Sequence, residues 1–422
     1  MLRFALSENL YICDLTLDLS KLSMVEQIIM GSGSYTLNGF NFDHIVPASG
    51  ADFQEQIKSC MQQLNAFMHQ EEDRHLFITQ QTFFISAHSR DEYETRSAII
   101  KDQLSELCGA SLPATSIVAQ SPSGNRDVVL ELICTKDAED KKVSYKSLSG
   151  LHYTVIEYQG YKTLHCGGLM GEVNDTIAEA SERAFNMALS ILGKEGLSIR
   201  NIIRQWNYIE QIALVKDQEG SPQNYQDFND VRARYYDQVQ FDQGYPAATG
   251  IGQDTGGVII GFIAVSDSEN IRIKPIANPG QIDAHRYSEL VLEGSSSQKC
   301  TPKFERAKLV SIGSRNYIYV SGTASILGEK TVHEGDVEKQ TLTTIENIKR
   351  LFTKENQDKL GLSFDVSKIL FSHLRVYVKY KKDIPAVQKV CEAELNCKSS
   401  LFLESDVCRE NLLVEIEGVF TA

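Results

Sequence analysis

One feature constrains the fold of this 422-residue chain more than any single motif: the same local pattern occurs three times. Each time a turn leads through a short polar loop into an apolar strand. Residues 113–120 lead to Val128-Val129-Leu130-Glu131-Leu132, and residues 246–253 lead to Val258-Ile259-Ile260-Gly261-Phe262. Residues 400–404 lead to Leu412-Leu413-Val414-Glu415-Ile416-Glu417, which alone carries a pair of carboxylates. Aligning the three strands sets Glu131, Gly261 and Glu415 at one position. Recurrence at this spacing is the mark of one supersecondary unit used repeatedly. It predicts three divergent modules, 1–148, 149–297 and 298–422. The first break falls at Ser147-Leu148-Ser149-Gly150 and the second at Glu293-Gly294-Ser295-Ser296-Ser297, both rich in turn formers.

Within each module the hydrophobic period alternates between that of a strand and that of a helix, in the order strand, strand, helix, strand, helix, strand. In the third, Tyr317-Ile318-Tyr319-Val320-Ser321 is β-branched and aromatic, as strands prefer. A helix is expected over 336–352, with Val337, Leu342, Ile345, Ile348 and Leu351 on its inner stripe, then a strand over 370–378 and a helix over 383–395. The second module repeats the order, with a strand at 162–168, a helix at 176–192, a strand at 202–208 and a helix at 224–236. In the first module, helices are expected over 53–68 and 91–107 around a strand at 81–85. The sum is an α+β protein of three α/β modules.

Composition narrows the function. A net charge of −14 argues against a nucleic-acid groove, and any anionic ligand must then be drawn in by a local cluster of Arg and Lys. No apolar run reaches the roughly 20 residues needed to span a bilayer, and an early acid interrupts the N-terminus, so neither a membrane partner nor a secretory signal is expected. Nine cysteines, an odd number without a CxxC pair, fit reduced thiols in a cytoplasm. His285, His333 and His373 lack metal-ligand spacing, so no metal is expected.

In the third module, Ser321-Gly322-Thr323, Gln340 with Asn347-Ile348, and Val414-Glu415-Ile416-Glu417 stand out together. These residues resemble the Rid/YjgF superfamily (the chorismate-mutase-like fold), compact α/β subunits that form trimers around intersubunit clefts. From about residue 150 onward it narrows to the chorismatases, which release pyruvate from chorismate. The matching stretches include Arg204-Gln205-Trp206-Asn207-Tyr208, Tyr225-Gln226-Asp227-Phe228 with Arg232, and Pro246-Ala247-Ala248-Thr249-Gly250-Ile251-Gly252. They continue with Ala284-His285-Arg286-Tyr287, Gly322-Thr323-Ala324-Ser325-Ile326-Leu327-Gly328 and Asp406-Val407-Cys408-Arg409-Glu410-Asn411. The resemblance implies a pseudo-trimer within one chain, monomeric or weakly self-associating, that acts on a small dicarboxylate without a cofactor.

Cleaving the enolpyruvyl ether of chorismate requires a proton delivered to the enol methylene, and so a carboxylic acid kept protonated by an apolar setting. Glu415, between Val414 and Ile416, fits, and strand alternation sets Glu417 on the same face. The family's acid matches Glu415. Two substrate carboxylates favour Arg over Lys as ligands; Arg204, Arg232 and Arg409 are the candidates, and Lys379 stands where chorismatases tend to have Arg. Tyr208 is a candidate donor to substrate, whereas Trp206 is expected on the opposite face, in the core. The backbone at Ala248 and Gly250 offers N–H groups without bulk. Gly322 and Cys408 resemble the subgroup that forms 3-hydroxybenzoate rather than a dihydroxycyclohexadiene carboxylate, the glycine leaving room for the ring and the thiol assisting rearrangement. Two alternatives stand beside this hydrolase or lyase: a Rid-type enamine/imine deaminase, disfavoured because position 400 is Ser where those enzymes have a carboxylate-binding Arg, and a non-catalytic metabolite-binding protein of the same fold.

Overall fold

A computed structural model describes residues 40–47, 52–72, 76–215, 222–288, 299–312, 315–363, 365 and 369–421. The order of elements begins with β1 (Phe40–Ile45), α1 (Phe53–Glu72), β2 (Leu76–Ile85), α2 (Arg90–Cys108), β3 (Ala114–Val118) and β4 (Val128–Lys136). Next come β5 (Lys142–Leu148), β6 (Leu151–Tyr158), β7 (Tyr161–Met170), α3 (Ile177–Lys194), β8 (Ile202–Glu210), α4 (Asn224–Tyr236), β9 (Ala247–Gln253) and β10 (Val258–Val265). The last third holds β11 (Ile271–Ile276), β12 (Ala307–Ile312), β13 (Arg315–Ala324), the short pair β14 (Ile326–Leu327) and β15 (Lys330–Thr331), α5 (Val337–Arg350), α6 (Lys354–Leu360), β16 (Phe371–Val378), α7 (Ile384–Glu394), β17 (Ser400–Glu404) and β18 (Val414–Thr421).

These strands form three main sheets, of order β1-β4-β2-β3, β5-β6-β7-β10-β8-β9 and β11-β12-β13-β18-β16-β17. The last four strands in each order follow one scheme. The final strand of the chain segment lies antiparallel between two neighbours, and the far neighbour pairs in parallel with a short edge strand. That edge strand is β3, β9 or β17, so the three stretches expected as polar loops are strands. Their backbone groups need ladder partners once buried, and β2, β8 and β16 supply them.

The expected boundary at 148 falls at the tip of the β5–β6 hairpin, because the second sheet begins at Lys142. The boundary near 297 lies outside the described residues, while β11 already belongs to the third sheet.

Helices form where caps and stripes coincide. Thr176 and Glu179 close a capping box at the start of α3, whose Ala180, Ala184, Ala188 and Ile191 are buried. Asp336 caps α5 by accepting from Lys339 N–H. The inner stripe of α5 runs through Thr341, Thr344, Ile345 and Ile348, and Leu342, expected inside, is 40% exposed. It stands five residues from Val337, which a 3.6-residue turn carries away from the stripe.

Helices α3 and α4 cover the outer face of the second sheet, and α5 and α7 that of the third, each over its own apolar core. A further core joins the first sheet and its helices to Trp206, Tyr208, Tyr319, Tyr377 and Leu403 from the other two sheets. The inner faces of the sheets therefore pack on one another, which explains why β10 and β16 are buried along their whole length. Among the described residues no helix is long and apolar enough to cross a membrane.

Candidate active site

The register along the three equivalent strands fixes which residues share a position. Glu131 pairs with Thr82, Gly261 with Trp206, and Glu417 with Arg375. Glu417, not Glu415, is thus the counterpart of Glu131 and Gly261. The alignment made on sequence was displaced by one alternation, which keeps the face but changes the residue. The counterparts of Glu415, which pairs with Tyr377, are Val129 and Ile259. An acid stands at this place in the third sheet only.

The two carboxylates of β18 share the inner face and are 5% and 3% exposed, yet their surroundings differ. Glu417 accepts from Arg204 Nη2 at 2.6 Å, Trp206 Nε1 at 2.8 Å and Arg375 Nη1 at 3.2 Å, and also from the Thr249 hydroxyl. Burial alone would disfavour its charge, but Arg204, Arg375 and the hydrogen bonds outweigh burial and hold the carboxyl below the usual range. Among the described residues, Glu415 has no such partners. Burial, and then the charge of Glu417, push it up to about 8 against the pull of Arg204 and Arg306. Neighbouring carboxylates of one strand are driven apart by environment, one ionised and one neutral.

Glu415 lines a cleft between the second and third sheets, with an empty volume of about 690 Å³ that includes its mouth. The walls come from β9 (Ala248, Gly250), α4 (Tyr225, Asn229) with Gln223 just before it, and the segments bearing Tyr287, Phe304 and Arg306; Gly322, Cys408 and Arg409 complete them.

Backbone contacts set this geometry. Gly322 N–H donates to Thr249 Oγ1 at 3.1 Å and Ala248 N–H to Ser321 Oγ at 3.0 Å, which fastens β9 to β13. Pairing of β13 with β18 shifts register between Val320 and Thr323, a bulge that brings Gly322 over the acid. A Cβ built on Gly322 would overlap the Glu415 carboxylate, and one on Gly250 would lie 2.8 Å from the Tyr225 ring. Both positions demand glycine for close approach. The same fastening recurs between the first and second sheets, where Gly168 N–H donates to Ser116 Oγ at 2.9 Å.

The cleft gathers six of the ten residues named from sequence: Glu415, Cys408, Ala248, Gly250, Gly322 and Arg409. The other four lie elsewhere. Arg204 is fully enclosed against Glu417 and Thr249, behind the cleft wall. Tyr208 Oη accepts from Arg375 Nη1 at 2.9 Å, and the ring sits in the central core together with Trp206. The two aromatics are two residues apart on a strand, so they share a face rather than opposing one another. Arg232 donates to Asn229 Oδ1 at 2.5 Å and supports the wall from behind. Lys379 donates to the Glu410 carbonyl at 2.7 Å and does not line the cleft. The Ala248 N–H, expected to face an anion, is taken by Ser321.

Arg306, overlooked in the sequence, faces the cleft. It is 4% exposed, its Nη2 donates to Tyr287 Oη at 2.7 Å and to the Ile282 carbonyl, and its buried Nε makes no hydrogen bond among the described residues. Arg409 donates to the Glu329 carbonyl at 2.8 Å. Both guanidinium carbons lie 5.4 Å from the Tyr287 ring centroid. The available signal for Arg306 was its aromatic company in Phe304-Glu305-Arg306. Burial, then Glu415, pushes the Cys408 thiol up to about 12, so it enters the cleft as a neutral group. Among the described residues no three His, Cys, Asp or Glu side chains converge as metal ligands.

Comparison with known proteins gives the lineage. Residues 138–264 match a family model described as chorismatase FkbO/Hyg5-like, N-terminal. A 3-hydroxybenzoate synthase of Streptomyces hygroscopicus is 34% identical over 248 residues, 57% of this chain and 69% of that protein. A chorismatase of Streptomyces rapamycinicus is 35% identical over 227 residues, and the chain spans 65% of its length. A chorismatase crystal structure superposes with a TM-score of 0.64 at 22% identity, covering 92% of this chain and all of that one, a likeness of fold. By its sequence relationships, this chain belongs to the chorismatase family.

Proposed function

We propose that this protein cleaves the enolpyruvyl ether of chorismate, releasing pyruvate, with Glu415 as the general acid. The observation that carries the reading is a buried carboxyl raised to about 8, at the wall of a cleft that also holds the guanidinium groups of Arg306 and Arg409. At pH 7 roughly nine in ten copies of such a group hold their proton. That proton passes to the terminal methylene carbon of the enol ether, and positive charge develops at the adjacent carbon, shared with the ether oxygen. Water adds there and returns a proton to Glu415. The hemiketal then collapses to pyruvate, leaving the former ether oxygen on the ring as a hydroxyl in a dihydroxycyclohexadiene carboxylate. Formation of 3-hydroxybenzoate needs no net water, because that acid and pyruvate together have the atoms of chorismate. The relative named for 3-hydroxybenzoate synthesis, together with Gly322 and Cys408, favours the aromatic product.

Arg306 and Arg409 serve as the carboxylate clamps, with the free Nε of Arg306 available to the substrate. They supply the local positive field that a chain of net charge −14 needs to admit a dianion. Gly322 gives the acid its space, and Tyr225 and Tyr287 shape the ring pocket. We also read the three sheets as copies of one Rid-like module in a pseudo-trimeric chain. The shared scheme of the last four strands supports this, with modules starting near Lys142 and Ile271.

The test is incubation with chorismate, with pyruvate followed by a coupled assay and the second product identified by chromatography. Pyruvate and 3-hydroxybenzoate are expected, and Glu415→Gln should remove pyruvate release while circular dichroism stays unchanged. Undiminished turnover in that variant would discard the mechanism. Ammonia from imine substrates, without pyruvate from chorismate, would favour the deaminase alternative instead.

A further inference from the structure

Behind the cleft, a run of buried charge crosses from the third sheet to the first, and the reaction just described makes no use of its far end. Arg375, on β16, gives Nε to Glu131 Oε2 at 2.7 Å and Nη2 to the other oxygen of the same carboxylate. Only Nη1 remains, and it is divided between Tyr208 Oη and Glu417. Arg204 meets Glu417 from the opposite side. Glu131 and Glu417 thus balance Arg204 and Arg375, with the protonated Glu415 adding nothing. Around Glu131 stand His373, at 2.6 Å, and His44, linked to it through Ser399. Tyr377 faces Arg375 and Glu417, while Arg306, Cys408 and Tyr225 face Glu415. The second sheet offers only Gly261 at the equivalent place, so the balancing carboxylate comes from the first sheet alone.

We propose that Glu131 is a positioning residue for Glu415: by holding Arg375 it governs how much cationic charge reaches Glu417, the carboxylate beside the acid. This inference rests on Glu415 being the acid. With the charge of Glu131 removed, the Arg375 fork is free to compensate Glu417, and the cluster gains one net positive charge. Ionised Glu415 is then favoured and the proton is lost at lower pH.

The experiment uses the full chain and three variants: Glu131→Gln, Arg375→Met and the double variant. Titration of Glu415 is followed by the infrared C=O stretch of its protonated carboxyl, assigned by its loss in Glu415→Gln. The alkaline limb of pyruvate release is measured in parallel. Glu131→Gln should lower both midpoints by about one pH unit, and Arg375→Met should raise them by a similar amount. The double variant, whose charges cancel again, should return to within a few tenths of the parent. Arg375→Met strips the buried Glu131 carboxylate of its two-pronged partner and is the variant most exposed to unfolding; if it does not fold, the other two decide. Unmoved midpoints in the variants that fold, with lowered melting temperatures alone, would mean that Glu131 is only structural and would overturn the proposal. The infrared titration needs no substrate, so a protein that fails to release pyruvate removes the functional reading while the charge coupling is still decided.

Discussion

Glu415→Gln should make the protein more stable as well as inactive, and the gain should depend on pH. In the folded chain Glu415 is raised from its ordinary 4.5 to about 8, chiefly by burial and then by Glu417. Below about pH 4.5 both folded and unfolded chains hold this proton. Between 4.5 and 8 the unfolded chain releases it while the folded one does not, so folding takes up a proton and stability falls as pH rises. Above about 8 both are ionised and the penalty is complete. A span of 3.5 on the pH scale, at about 1.36 kcal/mol for each, gives a full penalty of about 5 kcal/mol. The Gln side chain cannot ionise and escapes it. With an unfolding entropy of about 2.1 cal/mol/K per residue, the 422 residues convert this to a melting temperature higher by about 5 °C at pH 8. Near pH 5 the advantage should shrink below about 1 °C. Differential scanning calorimetry of both proteins from pH 5 to 8.5 checks this. A difference that is constant across that range, or a variant less stable at pH 8, would show that Glu415 is not held neutral by its surroundings.

Two further outcomes concern the cleft itself. Gly322→Ala forces the Glu415 carboxylate aside, since the new methyl group would occupy its place and also lie 3.2 Å from Thr249 Cγ2. A displacement of about 1 Å at a reacting group costs on the order of 100-fold in kcat, and a variant within twofold of the parent would deny that this glycine sets the position of the acid. Arg306→Lys loses the planar fork while keeping the charge, so KM for chorismate should rise on the order of 10-fold with a smaller change in kcat. An unchanged KM in steady-state assays would exclude Arg306 as a carboxylate ligand.

Much of this architecture could be read from local chemistry. The helix expected over 224–236 is found at Asn224–Tyr236, and the tripled strand pattern anticipated three sheets. Strand alternation correctly put Glu415 and Glu417 on one face. It could not tell which of them meets open space, because that depends on Arg204 and Trp206 arriving from another sheet. The same limit misplaced Arg204 and Tyr208: a buried cation and its carboxylate partner, 213 positions apart for Arg204 and Glu417, leave no trace in spacing. The edge strands 114–118, 247–253 and 400–404 looked like polar loops because a strand held on one side by a parallel neighbour tolerates Gly, Ser and Thr. Arg306 escaped notice because it lies just ahead of β12, in a segment with neither helical nor strand periodicity to mark it.

The fastening of a glycine N–H to a hydroxyl is present at two junctions, yet at the one between the first and second sheets Ile259 replaces the acid. In a ring of identical subunits any substitution would alter every junction at once. Here each junction is encoded separately, so one could acquire an acid while another kept an aliphatic side chain. A substitution at Glu415 therefore changes the chemistry of one seam and leaves the Gly168–Ser116 seam as it is.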